Sequence, residues 1–351
     1  SADTVTGGTG ADDINGGNGN DVIALGINTA GSLQFALAGD GDDVISAGAG
    51  LTCIAGDAGD DTIDVNAAGV NTGAYNTMYG GTGNDTITGS DGVDNIDGGG
   101  DNDTITAGDG ADGINGGAGT DTIDAGAGND NIFSNNNEGP DTIDGGAGQD
   151  TLSMDRSSAT VAFTADFSDP NTLVSLQDGS SVIGVEGVTF TGGTLGDTIT
   201  SSDSATLSNI VLGGGGNDVL TGGANIAYLY GEDGDDTLTG GSGHEYLYGG
   251  AGNDTIAMGT SAGGSTQQAI GGDGADIIMA GAGFSYISGD AGDDSIDVSA
   301  ADANAFAYTQ VFAGTGADTI IASAGTDYID GGADIDTLSY ASVSGPVTVD
   351  L

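Results

Sequence analysis

The sequence predicts an all-β repeat solenoid, and three observations carry the prediction. The first is a period of nine. Residues 98–133 divide into GGGDNDTIT, AGDGADGIN, GGAGTDTID and AGAGNDNIF, with Asp103, Asp112, Asp121 and Asp130 at the sixth place and Ile105, Ile114, Ile123 and Ile132 at the eighth. A unit this short cannot bury its own apolar residue, so it must stack on its neighbours. The second is composition. Gly is 72 of 351 residues, Lys plus Arg is 1 and Asp plus Glu is 53, a formal charge of -52. Such a chain repels itself and favours disorder, but here the sixth-place Asp residues are periodic and each is followed two places on by an aliphatic residue. The third is duplication. GDAGDD at 56–61 recurs at 289–294, and at this offset of 233 about half the residues from Asp3 to Ile87 are identical without a gap.

Gly at two, Asp at six and a large aliphatic at eight matches the nonapeptide G-G-x-G-x-D-x-U-x. The tract resembles the calcium-binding repeats of the RTX (repeats-in-toxin) family, and the match recurs in register across most of the chain. The resemblance implies a right-handed parallel β-roll in which each nine makes half a coil. Residues x-U-x would form a short parallel strand with U in a narrow core, and Ca2+ would sit between stacked turns. The chemistry suits the motif. Ca2+ takes six to eight oxygens at about 2.3–2.6 Å, glycine permits positive φ and so turns carbonyls inward, and Asp adds charge. Because such a roll buries little apolar area per residue, calcium is expected to drive its folding.

Taken in order, the first block spans 1–153. Its candidate ligands begin with Asp12 in GGTGADDIN and Asp21 in GGNGNDVIA. The rhythm then stretches through Asp43, Asp61 and Asp85, with Thr52 where one ligand should stand and Ile54 still at its apolar place. One side of the coil keeps its calcium turns there, and the other is expected to carry longer, uncharged loops. LQFAL at 33–37 and YNTMY at 75–79 read as extra or extended strands in those loops. From Gly80 the register is nearly unbroken through Asp94, Asp103, Asp112, Asp121, Asp130, Asp141 and Asp150, with residues 135–140 shifting it by two.

Residues 154–196 leave the repeat and read as a strand-rich connector, from the alternation in TVAFTADF at 160–167 and VIGVEGVTF at 182–190. The second block spans 197–339. Its candidate ligands are Asp218, Asp236, Asp254, Asp276, Asp294, Asp318, Asp327 and Asp336. Glu245 in GGSGHEYLY departs from the pattern, and Asp101 and Asp334 replace the fourth-place Gly. Residues 340–351 echo the start of the connector, so a second connector is expected to begin there and the parent protein to continue.

Charge narrows the partners. With no basic patch to neutralise phosphates, nucleic acid is not expected, and anionic membranes are disfavoured. No apolar run reaches the ~20 residues of a transmembrane helix, so membrane insertion is not expected either. Divalent cations are the natural counter-ion, and roughly 20 sites holding one Ca2+ each would offset roughly 40 charges. Cys53 is the single cysteine, which excludes an internal disulfide, and its counterpart Tyr286 points to a packing position.

No catalytic constellation is read. GTSAG at 259–263 fits G-x-S-x-G, but a Gly- and Gln-containing loop follows where a helix is needed. The single histidine, His244, lies in a repeat turn, and His244-Glu245 is not H-E-x-x-H. A flat ice-binding row of Thr and Asn at the third and fifth places is met by only two pairs of five, Asn18/Asn20 and Thr82/Asn84. The chain is therefore expected to be a calcium-stabilised, self-assembling structural protein of the bacterial cell exterior, forming an array, filament or sheath, and the family resemblance implies secretion by a type I exporter. The alternatives are a spacer or binding region of a large adhesin, with a cell-surface polysaccharide as partner, and the secretion-linked region of a toxin or exoenzyme. The candidate self-association surfaces are the segments at 33–37 and 75–79 and their copies at 267–270 and 308–312.

Overall fold

The computed structural model describes residues 1–28, 32–66, 75–135, 139–204, 206–260, 266–301, 308–324, 326–341 and 343. Every regular element among the described residues is a β-strand, and the strands pair in parallel except for Val174–Ser175 against Ser181–Ile183. The fold is the expected parallel β-solenoid. It divides into two compact units, one of residues 1–155 with 170–186 and one of residues 156–169 with 187–351. The segment read as a connector is thus shared out. Ser181–Ile183 joins the first unit beside Thr142–Asp144, and Thr164–Asp166 joins the second beside Thr198–Thr200.

Each coil contributes one short and one longer strand. In the first unit the mostly short strands, such as Thr62–Asp64 and Thr86–Thr88, stack in an 11-stranded sheet that lengthens to seven residues at Thr104–Gly110. The longer ones, such as Thr52–Ala58, Tyr75–Thr82 and Val93–Gly100, stack on the opposite side. The second unit repeats the plan, with short strands in a 9-stranded sheet and longer ones from Gly187–Thr191 to Thr326–Ala333. The alternation of a strand places each eighth-place residue inside, and stacking aligns these residues into columns. Ile63 lies beside Ile87 and Ile87 beside Ile105, all at most 1% exposed. Each such side chain contributes roughly 1.5–3 kcal/mol of burial, and residues two places on, such as Ala47, Val65 and Ala107, are buried beside them.

The strands end where glycine turns the chain. Gly81 and Gly83, at the second and fourth places of their turn, have φ of 122° and 121°. Asp101 and Asp334 replace the fourth-place Gly and keep the left-handed backbone at 74° and 82°. Their turns, which carry Asp103 and Asp336, are therefore intact.

Two expectations change. LQFAL and YNTMY are not extra strands: Gln34–Asp40 and Tyr75–Thr82 are regular rungs of the longer-strand sheet, in register with Thr52–Ala58 between them. The period is lengthened upstream of them, across residues 29–31 and 67–74, which fall outside the described residues. Cys53 is not in the core. It lies half-buried on the outward face, between Phe35 and Thr77. The GTSAG serine, Ser261, and most of 340–351 also fall outside the described residues.

Candidate metal centres

The sixth-place Asp residues form ladders along the stacked turns. In the first unit the backbone N–H of each donates to Oδ1 of the next. Asp43 donates to Asp61 and Asp61 to Asp85 at 2.7 Å, while Asp85 donates to Asp103 and Asp103 to Asp121 at 2.8 Å. Asp21 opens this ladder by donating to Asp43, and Asp121 donates to Asp141. A second ladder faces the other side of the coil, through Asp94, Asp112, Asp130 and Asp150. Both sides therefore carry Asp over residues 85–150. The second unit has one long ladder, through Asp218, Asp236, Asp254, Asp276, Asp294, Asp318 and Asp336.

One oxygen of each carboxylate is thereby held, and the other defines the site. Oδ2 of Asp21, Asp43, Asp61, Asp85, Asp103, Asp112, Asp130, Asp150, Asp218, Asp236, Asp254, Asp276, Asp294 and Asp318 is buried with no hydrogen-bond donor. A buried, half-satisfied carboxylate is expensive unless a cation meets it. Backbone oxygens converge on the same space. The point a Cβ would occupy on Gly80 lies 2.3 Å from Asp85 Oδ2 and 2.4 Å from the Gly98 carbonyl of the next turn. At Gly231 the same point is 2.2 Å from Asp236 Oδ2 and 2.5 Å from the Gly249 carbonyl. Among the described residues no three acidic, His or Cys side chains converge. A cation here would take one Asp from each turn and backbone carbonyls beside it, an oxygen-only donor set suited to a hard divalent ion.

The electrostatics agree. Burial pushes the carboxyls of Asp61, Asp103, Asp112, Asp150, Asp218, Asp254 and Asp294 up to about 7, partly offset by the preceding N–H and reinforced by neighbouring carboxylates along the ladder. Asp85 is pushed to about 6 for the same first reason.

Not every predicted residue has this environment. Both oxygens of Asp94 are engaged, one by the Asn76 amide at 2.6 Å and the other by the Ser90 N–H and hydroxyl. Its copy Asp327 is held in the same way by Ser323. In both turns Ser stands at the second place, and its hydroxyl takes up the carboxylate. Asp141 is bound by the Ser134 hydroxyl at 2.7 Å. Asp12 and Asp336 are only half-buried, and Asp12 Oδ2 accepts from the Gly8 N–H at 2.9 Å and the Gln34 amide.

The sequence reading missed two features. Asp197 joins the second unit's ladder, accepting from Phe163 N–H and donating to Asp218, with its Oδ2 buried and without a donor. Its turn reads GGTLGD, with glycine one place late, and the following TIT was the available signal. The other is a buried neutral column where Asp is absent. Gln34, Thr52 and Asn76 occupy the sixth place on the second side of the first unit, each at most 1% exposed. The Gln34 Nε2 donates to the carbonyls of Gly10 and Gly26, and the Thr52 hydroxyl donates to Asn76. An amide N–H pointed at carbonyls does there what a cation would otherwise do.

Comparison with known families matches the chain to the RTX calcium-binding nonapeptide repeat over residues 1–27, 35–63, 73–105, 97–132, 137–155, 206–225, 227–256, 270–302 and 310–338. The match covers both units and leaves 156–205, with Asp197, outside. No curated protein matches the chain.

Proposed function

Because this chain belongs to the RTX calcium-binding nonapeptide-repeat family, we propose that it is a calcium-stabilised structural protein of the bacterial cell exterior that assembles with copies of itself into a layer, filament or sheath. Its repeats are of a kind typical of secreted proteins. No helix among the described residues is long and apolar enough to cross a membrane. Bound calcium supplies the positive charge that the buried carboxylates lack; the Asp ladders hold and space it.

The observation that carries self-assembly is an outward face rich in aromatic and neutral residues, with Asp13, Asp97 and Asp330 as charged members of its columns, in an otherwise strongly acidic chain. In the second unit Ile210, Tyr228, Tyr246, Gln268, Tyr286 and Gln310 follow one another along one column, with Leu212, Tyr230, Tyr248, Ile270, Ser288 and Phe312 beside them. Tyr228 stacks on Tyr246 at 4.7 Å and Tyr230 on Tyr248 at 4.8 Å, both nearly parallel. In the first unit Phe35, Leu37, Tyr79 and Phe133 are each more than 40% exposed on the outward face. Flat, rigid, aromatic surfaces are typical of interface cores, and strong negative charge elsewhere confines close approach to these strips. The stacked tyrosines with Gln268 and Gln310 also suit a neutral polysaccharide, which keeps the adhesin reading as the second one. Catalysis is no part of the proposal.

Electron microscopy and light scattering of the chain in millimolar calcium test it. Ordered arrays or filaments that dissolve in EGTA are expected, and Tyr246→Ser is expected to impair them with the fold intact. Monodisperse monomers at high concentration in calcium would overturn self-assembly, and binding of surface glycan by those monomers would favour the adhesin reading.

A further inference from the structure

The outward face of the longer strands in the first unit carries a hollow. Register sets Tyr79, Asp97, Asn115 and Phe133 on four successive rungs of one column, with Asn95 and Gly113 two residues upstream on the middle rungs. These six residues line a hollow of about 350 Å3, at the small end of the range of ligand sites, about 300–1,000 Å3.

Gly113 opens it. This residue begins the strand Gly113–Ala118, and its φ lies outside the left-handed region that favours glycine. The backbone therefore does not require glycine there, and glycine in a strand often marks close approach of a ligand. Its neighbours in the same column are Asn95 and Asn131, so the missing side chain leaves a gap between two amides. A Cβ on Gly113 would lie 3.2 Å from Asn95 Oδ1, and a larger side chain would fill the space.

The ends and the middle of the hollow differ in chemistry. Tyr79 and Phe133 stand at the ends, each 44% exposed. They are three rungs apart, about 14 Å at ~4.8 Å per rung. Between them Asn95 is exposed, and Asp97 and Asn115 are half-buried. Asn115 Nδ2 donates to Asp97 Oδ1 over a long 3.5 Å, and Asn115 Oδ1 has no donor. Burial raises the Asp97 carboxyl above its ordinary value, so a hydroxyl donated to it would stabilise the ionised form.

This combination selects a ligand class. Aromatic rings offer apolar faces to the C–H face of a sugar ring, and two amides with a carboxylate offer the mixed donors and acceptors that adjacent hydroxyls need. The formal charge of -52 and the lack of Lys or Arg in the hollow disfavour anions. Two rings about 14 Å apart do not enclose a single ammonium group, which needs ring centroids within about 6 Å.

We propose that this hollow binds a short neutral saccharide, stacked on Tyr79 or Phe133 and hydrogen-bonded by Asn95, Asp97 and Asn115. The site lies on the strand face, away from the metal-binding turns, and on the first unit, whereas the stacked tyrosines are on the second. It does not rest on self-assembly.

The test is an array of neutral and acidic oligosaccharides, probed with the full chain in millimolar calcium at a dilution where light scattering shows monomers. Wild type is expected to bind neutral glycans. Gly113→Val is expected to abolish that binding by filling the hollow, with its circular dichroism in calcium retained. If Gly113→Val does not fold, Phe133→Ala supplies the second arm: loss of one exposed stacking ring is expected to weaken binding roughly tenfold. Tyr246→Ser is expected to leave binding unchanged. No neutral glycan bound by folded wild type overturns the proposal, as does binding restricted to acidic glycans. Binding lost in Tyr246→Ser but kept in Gly113→Val and Phe133→Ala assigns the sugar to the second unit and overturns it too.

Discussion

Replacing Asp61 by Asn should change stability in opposite directions with and without calcium. Asn keeps the shape of the side chain and the Oδ1 that accepts the Asp43 N–H at 2.7 Å. It removes the charge on Oδ2, which is buried and without a donor. In the metal-free fold, burial, with help from the Asp85 and Asp43 carboxylates, raises the Asp61 carboxyl from 3.8 to about 7. That rise corresponds to roughly 4 kcal/mol against the ionised form, which screening by water near the turn surface reduces to about 2 kcal/mol. In EGTA at pH 8, with an osmolyte to keep the metal-free roll folded, Asp61→Asn should be about 2 kcal/mol more stable. In saturating calcium the same change removes one member of a buried charge pair, at a cost of about 3 kcal/mol. At about 2–4 °C per kcal/mol for a unit of this size, the melting point by circular dichroism should rise by about 4–8 °C in EGTA and fall by about 6–12 °C in calcium. A shift of the same sign in both buffers would refute the assignment of the ladder as a cation site.

Two further predictions follow the same physics. Asp61, Asp103, Asp112 and Asp150 have folded values of about 7 against 3.8 in the unfolded chain, so the metal-free fold binds more protons than the unfolded state. Its stability therefore rises as pH falls from about 7 towards 3.8. The β signal in EGTA should grow between about pH 8 and pH 5.5, and a flat or falling signal would remove the carboxylates as the source of apo instability. Gly81→Ala should raise the calcium needed for folding several-fold, because Gly81 sits at φ 122° and a Cβ there would lie 2.0 Å from the Asp57 carbonyl. Asp57 itself holds the second place at φ 75°, within the left-handed region that Asp tolerates, so Asp57→Gly should be tolerated; equal effects of the two changes would discount backbone geometry as the cause.

The sequence alone determined the period, and with it most of the fold. Asp at the sixth place and an aliphatic at the eighth fix which residue enters the turn and which the core, because the covalent chain places Asp just before the strand and the aliphatic two residues on, within it. The aliphatic columns through Ile63, Ile87 and Ile105, and the Asp ladder from Asp43 to Asp121, needed nothing beyond that spacing. What the tertiary structure decided is what stands beside each place one coil away. Gln34, Thr52 and Asn76 look like unrelated loop residues until register stacks them into one buried column. Asp94 and Asp327 match the motif as well as Asp112 does, yet Ser90 and Ser323 fold onto their carboxylates. Asp197 carries its glycine one place late and still enters the ladder, because Phe163, 34 residues earlier, donates to it. The physical reason is the same throughout: the period acts along the chain, while the partner of each carboxylate comes from the neighbouring turn, at a distance in sequence that the irregular loops reset.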